Sequence, residues 1–229
     1  MHDAPRCPIC DSRDLRAEPP FASCLACGCV QQSWPFDARR RDILTGQVIA
    51  APDANRIESA RGIIDLLQSH VHGRRIFDVG FGDGAVLAAG ARKSWQVAGI
   101  DLAPACLAGV PDLEATIEIG DFLTRDNERG DDAGSYDVVM FSYSLEQMDD
   151  ANVAMQGASA LLSPGGIVYV ELVPLSELHD RGPDRARNEL PQRVLFPEAQ
   201  HIRELLWKHG LTIEDETVGV GWRWIARSR

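Results

Sequence analysis

Arg75-Ile-Phe-Asp-Val-Gly-Phe-Gly-Asp-Gly-Ala-Val-Leu87 is the stretch whose reading decides the fold. Ile76, Phe77 and Val79 make a short β-type apolar run that stops at glycines, after which small apolar residues resume at helical spacing. The pattern predicts a strand, a tight turn and a helix N-terminus. Gly80, Gly82 and Gly84 can take positive φ, and without a Cβ they let a ligand lie against bare backbone. A helix beginning near Gly84 presents unpaired N–H groups and the positive end of its dipole to that ligand.

Gly80-x-Gly82-x-x-Ala85 also satisfies the dinucleotide fingerprint, so the glycines alone do not choose between ligands. Asp78 sharpens the choice. A carboxylate there has the wrong sign for a pyrophosphate and the right sign for an ammonium. Asp78-x-Gly80-x-Gly82-x-Gly84 resembles motif I of the class I S-adenosylmethionine-dependent methyltransferases.

Working outward, Trp95–Asp101 reads as a second strand that ends on an acid, 21 residues beyond Gly80. An acid at that position can accept both hydroxyls of a ribose, in nicotinamide and S-adenosylmethionine binders alike. Alternatively, Asp101 caps a helix over residues 103–108. Ala115–Ile119 is a short strand followed by Gly120-Asp121-Phe122, and Ser135–Ser142 is an apolar run expected to be buried on both faces. These match further motifs of the same family. The resemblance implies that Asp121 accepts from the adenine amino group and that Phe122 packs on the ring. It assigns the cofactor to Asp78, Gly80, Phe81, Gly82, Gly84, Asp101, Leu102, Asp121, Phe122 and Ser142.

The family often carries Leu-Glu-His after the fourth strand, where this chain has Leu145-Glu146-Gln147. The missing histidine removes a common polar group and argues against His-based catalysis there. Leu162-Ser-Pro-Gly-Gly166 is a turn typical of the family, leading to a strand over 167–173. Pro174–Gln192 reads as a loop covering the pocket. A helix over 198–209 then precedes two β-type runs around Gly219-Val-Gly221, a terminal hairpin. The expected fold is α/β, with a Rossmann-like seven-stranded mixed sheet that ends in an antiparallel β-hairpin. The resemblance covers roughly residues 55–229.

Five of the six cysteines lie before residue 35. Cys7-Pro-Ile-Cys10 and Cys24-Leu-Ala-Cys27 are two Cys-x-x-Cys pairs with 13 residues between them. Two such pairs complete a tetrahedral Cys₄ site, so Cys7, Cys10, Cys24 and Cys27 are expected to bind structural zinc. Cys29 is a spare thiol that could replace Cys27. The stretch resembles the zinc-ribbon leader of many bacterial methyltransferases. The expected organisation is a ribbon over 1–34, a linker over 35–55 and a methyltransferase domain over 56–229. Asp53 or Asn55 is expected to cap the first helix of that domain.

Net charge is −11 over 229 residues. That balance disfavours a long polyanionic substrate, and the basic stretches Arg39–Arg41 and Arg181–Arg193 read as solvated surface. No signal-like segment and no run of about 18 apolar residues is present, so a cytoplasmic enzyme without a membrane anchor is expected.

The resemblance implies methyl transfer to an O, N or C nucleophile of a small molecule or glycan. Tyr143, Glu146 and His179 are candidate bases. Three alternatives remain open: an RNA methyltransferase, a cofactor-binding scaffold without turnover, and a nicotinamide oxidoreductase. The last would bind NADH and not S-adenosylhomocysteine.

Overall fold

The computed structural model describes residues 6–19, 21–33, 39–46, 49–111, 113, 115–174, 192–219 and 221–229. Three short strands open the chain: β1 (Leu15–Glu18), β2 (Phe21–Cys24) and β3 (Val30–Gln32). Helices α1 (Arg39–Thr45) and α2 (Ala54–His70) follow, then β4 (Arg75–Val79), α3 (Ala85–Arg92), β5 (Gln96–Asp101), β6 (Ala115–Ile119) and β7 (Tyr136–Ser142). The remainder comprises α4 (Ala151–Leu161), β8 (Leu162–Leu172), β9 (Leu195–Phe196), α5 (Ala199–Lys208), β10 (Leu211–Thr217) and β11 (Trp222–Ser228).

Seven strands form the main sheet in the order β10-β11-β8-β7-β4-β5-β6. β4 pairs in parallel with β5 and β7, and β7 in parallel with β8. β11 returns antiparallel between β8 and β10. The order reverses at β4, so the crevice beyond the carboxyl ends of β4, β5 and β7 is where such a sheet binds ligands. Val138, Val139, Met140 and Phe141 in β7 are all fully buried, as an unbroken apolar run requires in a strand covered on both faces. Ile57, Ala60, Ile64 and Leu67 form the buried stripe of α2. Its N-cap is Asp53, whose carboxylate accepts from the Arg56 N–H at 2.9 Å.

Several local expectations are corrected. The turn at 162–166 belongs to β8, because Leu162 already pairs with Tyr136. The register then jumps to Val138–Ile167, with Gly165 at φ +76° absorbing the extra residues. Residues 104–109 form a 3₁₀ segment rather than an α-helix. The segment read as linker contains α1, whose Leu44 is buried. β9 joins β3, so β1-β2-β3-β9 make a second sheet that draws one strand from the far end of the sequence. His179 and the arginines at 181, 185 and 187 lie outside the described residues.

The hairpin is held by Trp224, fully buried in β11 with its ring 6.0 Å from that of Trp222. Trp224→Ala is expected to destabilise the protein by about 3–5 kcal/mol in equilibrium urea unfolding, and a loss below about 1 kcal/mol would show that the hairpin does not carry the core as described.

Candidate active site

A cavity of about 770 Å³ opens at the carboxyl ends of β4, β5, β7 and β8. Gly80 and Gly82, at φ +76° and +55°, make the turn at its floor. A Cβ on Gly82 would meet no atom within 4 Å, so this backbone faces open space. A Cβ on Gly80 would lie 2.6 Å from that of Ser144, and one on Gly84 would lie 2.5 Å from Val110 Cγ1. Gly80 and Gly84 thus both serve close packing, and of the three glycines Gly80 and Gly82 line the cavity while Gly84, at the N-cap of α3, does not.

Asp78 lies beneath this turn, 2% exposed. Its Oδ1 has no hydrogen-bond partner among the described residues. Burial, reinforced by the negative charges of Asp101 and Asp83, pushes its carboxyl up to about 7. A buried carboxylate without a partner is costly unless a cation or donor arrives to meet it. Asp83 is already engaged, accepting from Ala85 N–H and pairing with Arg56.

Asp101 is held rigidly. Its Oδ2 accepts from Gly82 N–H at 3.0 Å and its Oδ1 from Ala103 N–H at 2.8 Å. The carboxylate thus caps the following turn, fixes the glycine loop and lines the cavity. Asp121 caps its own short turn through Leu123 N–H at 3.0 Å. Phe122 is buried edge-on against Phe141, with centroids 5.9 Å apart, and reaches the same cavity. Phe81, Leu102, Ser142 and Tyr143 complete the set of sequence-derived residues that the fold brings together.

Glu146 is not among the cavity-lining residues. It is fully buried and lies 3.3 Å from the guanidinium of Arg193, so it is not placed to act as a base. Tyr143 does line the cavity, with its backbone in the left-handed region at φ +56°. Its hydroxyl donates to Glu171 Oε1 at 2.9 Å.

Glu171 was not singled out from sequence, because one acid inside an otherwise apolar strand carries no motif. It lies near the end of β8 and lines the cavity. Ser142 Oγ and Tyr169 OH donate to its second oxygen at 3.0 and 3.2 Å. The available signal was its position at the carboxyl edge of the sheet, next to the switch point. Leu44, Ile49, Ile63 and Met148 supply apolar lining that was also not anticipated.

Away from this cavity, the sulfurs of Cys7, Cys10, Cys24 and Cys27 all lie within 4.8 Å of one another. Cys7 and Cys27 are 3.6 Å apart, as are Cys10 and Cys24. Cys29 falls outside this group and points its thiol at its neighbour's carbonyl, Val30 O. Among the described residues no helix is long and apolar enough to cross a membrane.

Comparison with known proteins agrees with this architecture. A family described as methyltransferase domain matches residues 53–216, well over half of the chain. The ubiquinone biosynthesis O-methyltransferase of Bordetella avium is 35% identical over 109 residues, which are 46% of this chain and 45% of that protein. The chain therefore spans about half the length of the curated relatives it matches. Among solved structures, CalS10, an amino pentose methyltransferase from Micromonospora echinaspora, superposes with a TM-score of 0.59 at 16% identity, covering 76% of this chain and 92% of that one. The PH0226 protein of Pyrococcus horikoshii gives a TM-score of 0.62 at 18% identity over 80% and 95%. At such identities the structures attest the fold, and the family match identifies the domain. The chain belongs to the methyltransferase-domain family.

Proposed function

We propose that the protein is an S-adenosylmethionine-dependent methyltransferase acting on a small molecule or glycan. The observation that carries this reading is the orphaned carboxylate of Asp78 under a glycine turn at the floor of the cavity. The residues fit that cofactor. Asp78 offers the charge an ammonium needs, Gly80 and Gly82 offer bare backbone, and Asp101 offers preset acceptors for ribose hydroxyls. Asp121, Leu102 and Phe122 form an acidic and apolar bay suited to adenine. When bound, S-adenosylmethionine supplies a methyl group already activated on sulfonium.

The protein's contribution is then alignment and exclusion of water. Ser142, Tyr143 and Glu171 form the wall farther along the sheet, where an acceptor substrate would sit. Three hydroxyls donate to Glu171 and hold it at the cavity wall. A carboxylate there can orient an O–H or N–H of the acceptor and receive its proton. The substrate class draws further support from the relatives, an O-methyltransferase of ubiquinone biosynthesis and an amino pentose methyltransferase. Arg193, part of the basic stretch an RNA would need, is buried and ion-paired.

Zinc at the four cysteines belongs to the same proposal. A tetrahedron of sulfurs about 2.3 Å from a metal has edges of about 3.75 Å, close to the 3.6 Å separations of the two close pairs. Four reduced thiols fit a cytoplasmic protein better than an exported one.

Three outcomes test the proposal. Asp78 should couple cofactor binding to pH. With its carboxyl near 7, affinity for S-adenosylhomocysteine in calorimetric titration should fall about tenfold from about pH 7.5 to about pH 6. The unliganded fold should show the opposite trend. An acid raised from 3.8 to about 7 by burial adds stability below about pH 4 that is lost as pH rises to about 7. Asp78→Asn should abolish both slopes and weaken binding at about pH 7.5 at least tenfold. pH-independent binding by the parent protein would contradict the assignment.

Glu171→Gln should leave that affinity within about threefold and lower methyl transfer about 10²-fold or more in a screen of phenols, amines and sugars. Unchanged transfer would remove Glu171 from the acceptor site. Purified protein should carry one zinc per chain by elemental analysis, and Cys24→Ser should lose it. Protein free of metal would refute the Cys₄ reading.

A further inference from the structure

The four-cysteine module is physically continuous with one edge of the cavity. Pro8 O in the first Cys-x-x-Cys turn accepts from Asn152 Nδ2 at the start of α4, at 2.8 Å. Cys27 O faces Nε2 of His201 at 2.9 Å. The tautomer of His201 follows from its other nitrogen: Nδ1 accepts from Glu198 N–H at 2.9 Å, so Nε2 carries the proton and donates to Cys27. His201 is 2% exposed, and Cys27 is partly buried.

The second link passes through a single residue. Val194 O accepts from Gln32 N–H in β3 at 2.8 Å, while Val194 N–H donates to Glu146 O at 2.9 Å. Glu146 lies in the loop that carries Tyr143, Ser144 and Gln147 into the cavity. The preceding residue, Arg193, reaches both walls of the same edge. Its guanidinium lies 3.3 Å from the Glu146 carboxylate and donates to Val173 O at 2.9 Å, just past the end of β8 where Glu171 sits. Both side chains of this pair are almost wholly buried.

A buried ion pair seldom adds net stability over an apolar pair of similar volume, and its best attested use is to fix a register. Here the register that it fixes joins three elements: the sheet of the cysteine module, the loop after β7 and the exit of β8. We propose that Arg193 and Glu146 are positioning residues that transmit the metal-held fold of the cysteine module to the acceptor edge of the cavity, Ser142–Met148. The metal then acts at a distance from the chemistry. It holds β3, β3 holds Val194, and Val194 with Arg193 holds the loop bearing Tyr143. The cofactor floor at Gly80–Gly82 touches this loop at Ser144, whose Oγ donates to Val79 O at 2.5 Å, but it has ties of its own to β5, through Gly80 N–H to Ile100 O and Gly82 N–H to Asp101.

The inference rests on the zinc reading but needs no turnover and no identified substrate. The test is amide hydrogen exchange on the full chain, with zinc bound and after stripping by a chelator, together with S-adenosylhomocysteine affinity. Stripping should speed exchange about tenfold or more at 143–148 and 194–196 as well as within 6–33, and leave β4 and β7 protected. Affinity for S-adenosylhomocysteine should change by less than about threefold. Acceleration confined to 6–33 would overturn the proposal. So would acceleration spreading through β4 and β7, since the metal would then hold the whole fold and not one edge.

A second variant isolates the joint. Glu146→Leu combined with Arg193→Met keeps the space filled without charge and should retain zinc and S-adenosylhomocysteine binding. Its 143–148 amides should nevertheless exchange as fast as in the stripped parent. Parent-like protection there would exclude the pair as the joint. A protein isolated without zinc would refute the metal reading separately.

Discussion

A buried carboxyl at the floor of the cavity organises the site of this molecule. Asp78 sits at the topological switch point of the sheet, sealed from water and without a partner for Oδ1 among the described residues. Among the described residues the charges that act on it do not relieve that cost: Asp101 and Asp83 are also acids and push its carboxyl further up. Arg56 is the guanidinium at hand, and it is committed to Asp83. The site therefore has its strongest electrostatic need at the point where bare glycine backbone admits a ligand. In this sense the cavity is built around what is to enter it.

The surrounding fold keeps that arrangement rigid. Asp101 bonds across to the Gly82 amide, so the second strand of the motif holds the turn of the first. Gly109 packs against Asp83 O so tightly that a Cβ there would lie 1.9 Å from it, and Gly84 likewise leaves no room against Val110. These glycines are needed for close approach of backbone to neighbouring groups, while Gly80 and Gly82 line the cavity. The wall at which we propose the acceptor sits follows a different plan. It is made from a loop with Tyr143 in the left-handed region, a carboxylate tied by three hydroxyls, and an edge fastened to the cysteine module.

Much of this was legible in the sequence because its signals are local. The run from Arg75 to Leu87, the acid at the end of β5 and the unbroken apolar stretch of β7 each declare themselves within a dozen residues. What escaped is non-local. β9 is two residues long and exists only because β3, some 160 positions earlier, offers an edge. Glu171 is one acid in an apolar strand, and Glu146 looks like a site residue until Arg193 is seen beside it. α1 was hidden by a charge run, although Leu44 and Ile49 turn inward. Spacing reports which side chains share a face; it does not report which distant segment will meet them.

The central claim is that Asp78 recognises the amino-acid portion of an adenosyl ligand. Comparing S-adenosylhomocysteine with 5′-methylthioadenosine by calorimetric titration isolates that portion, since the two share adenine, ribose and sulfur. The account predicts that S-adenosylhomocysteine binds tighter by about tenfold or more, the scale of a charged hydrogen bond, and that the difference vanishes in Asp78→Asn. Equal affinities for the two ligands in the parent protein would contradict it.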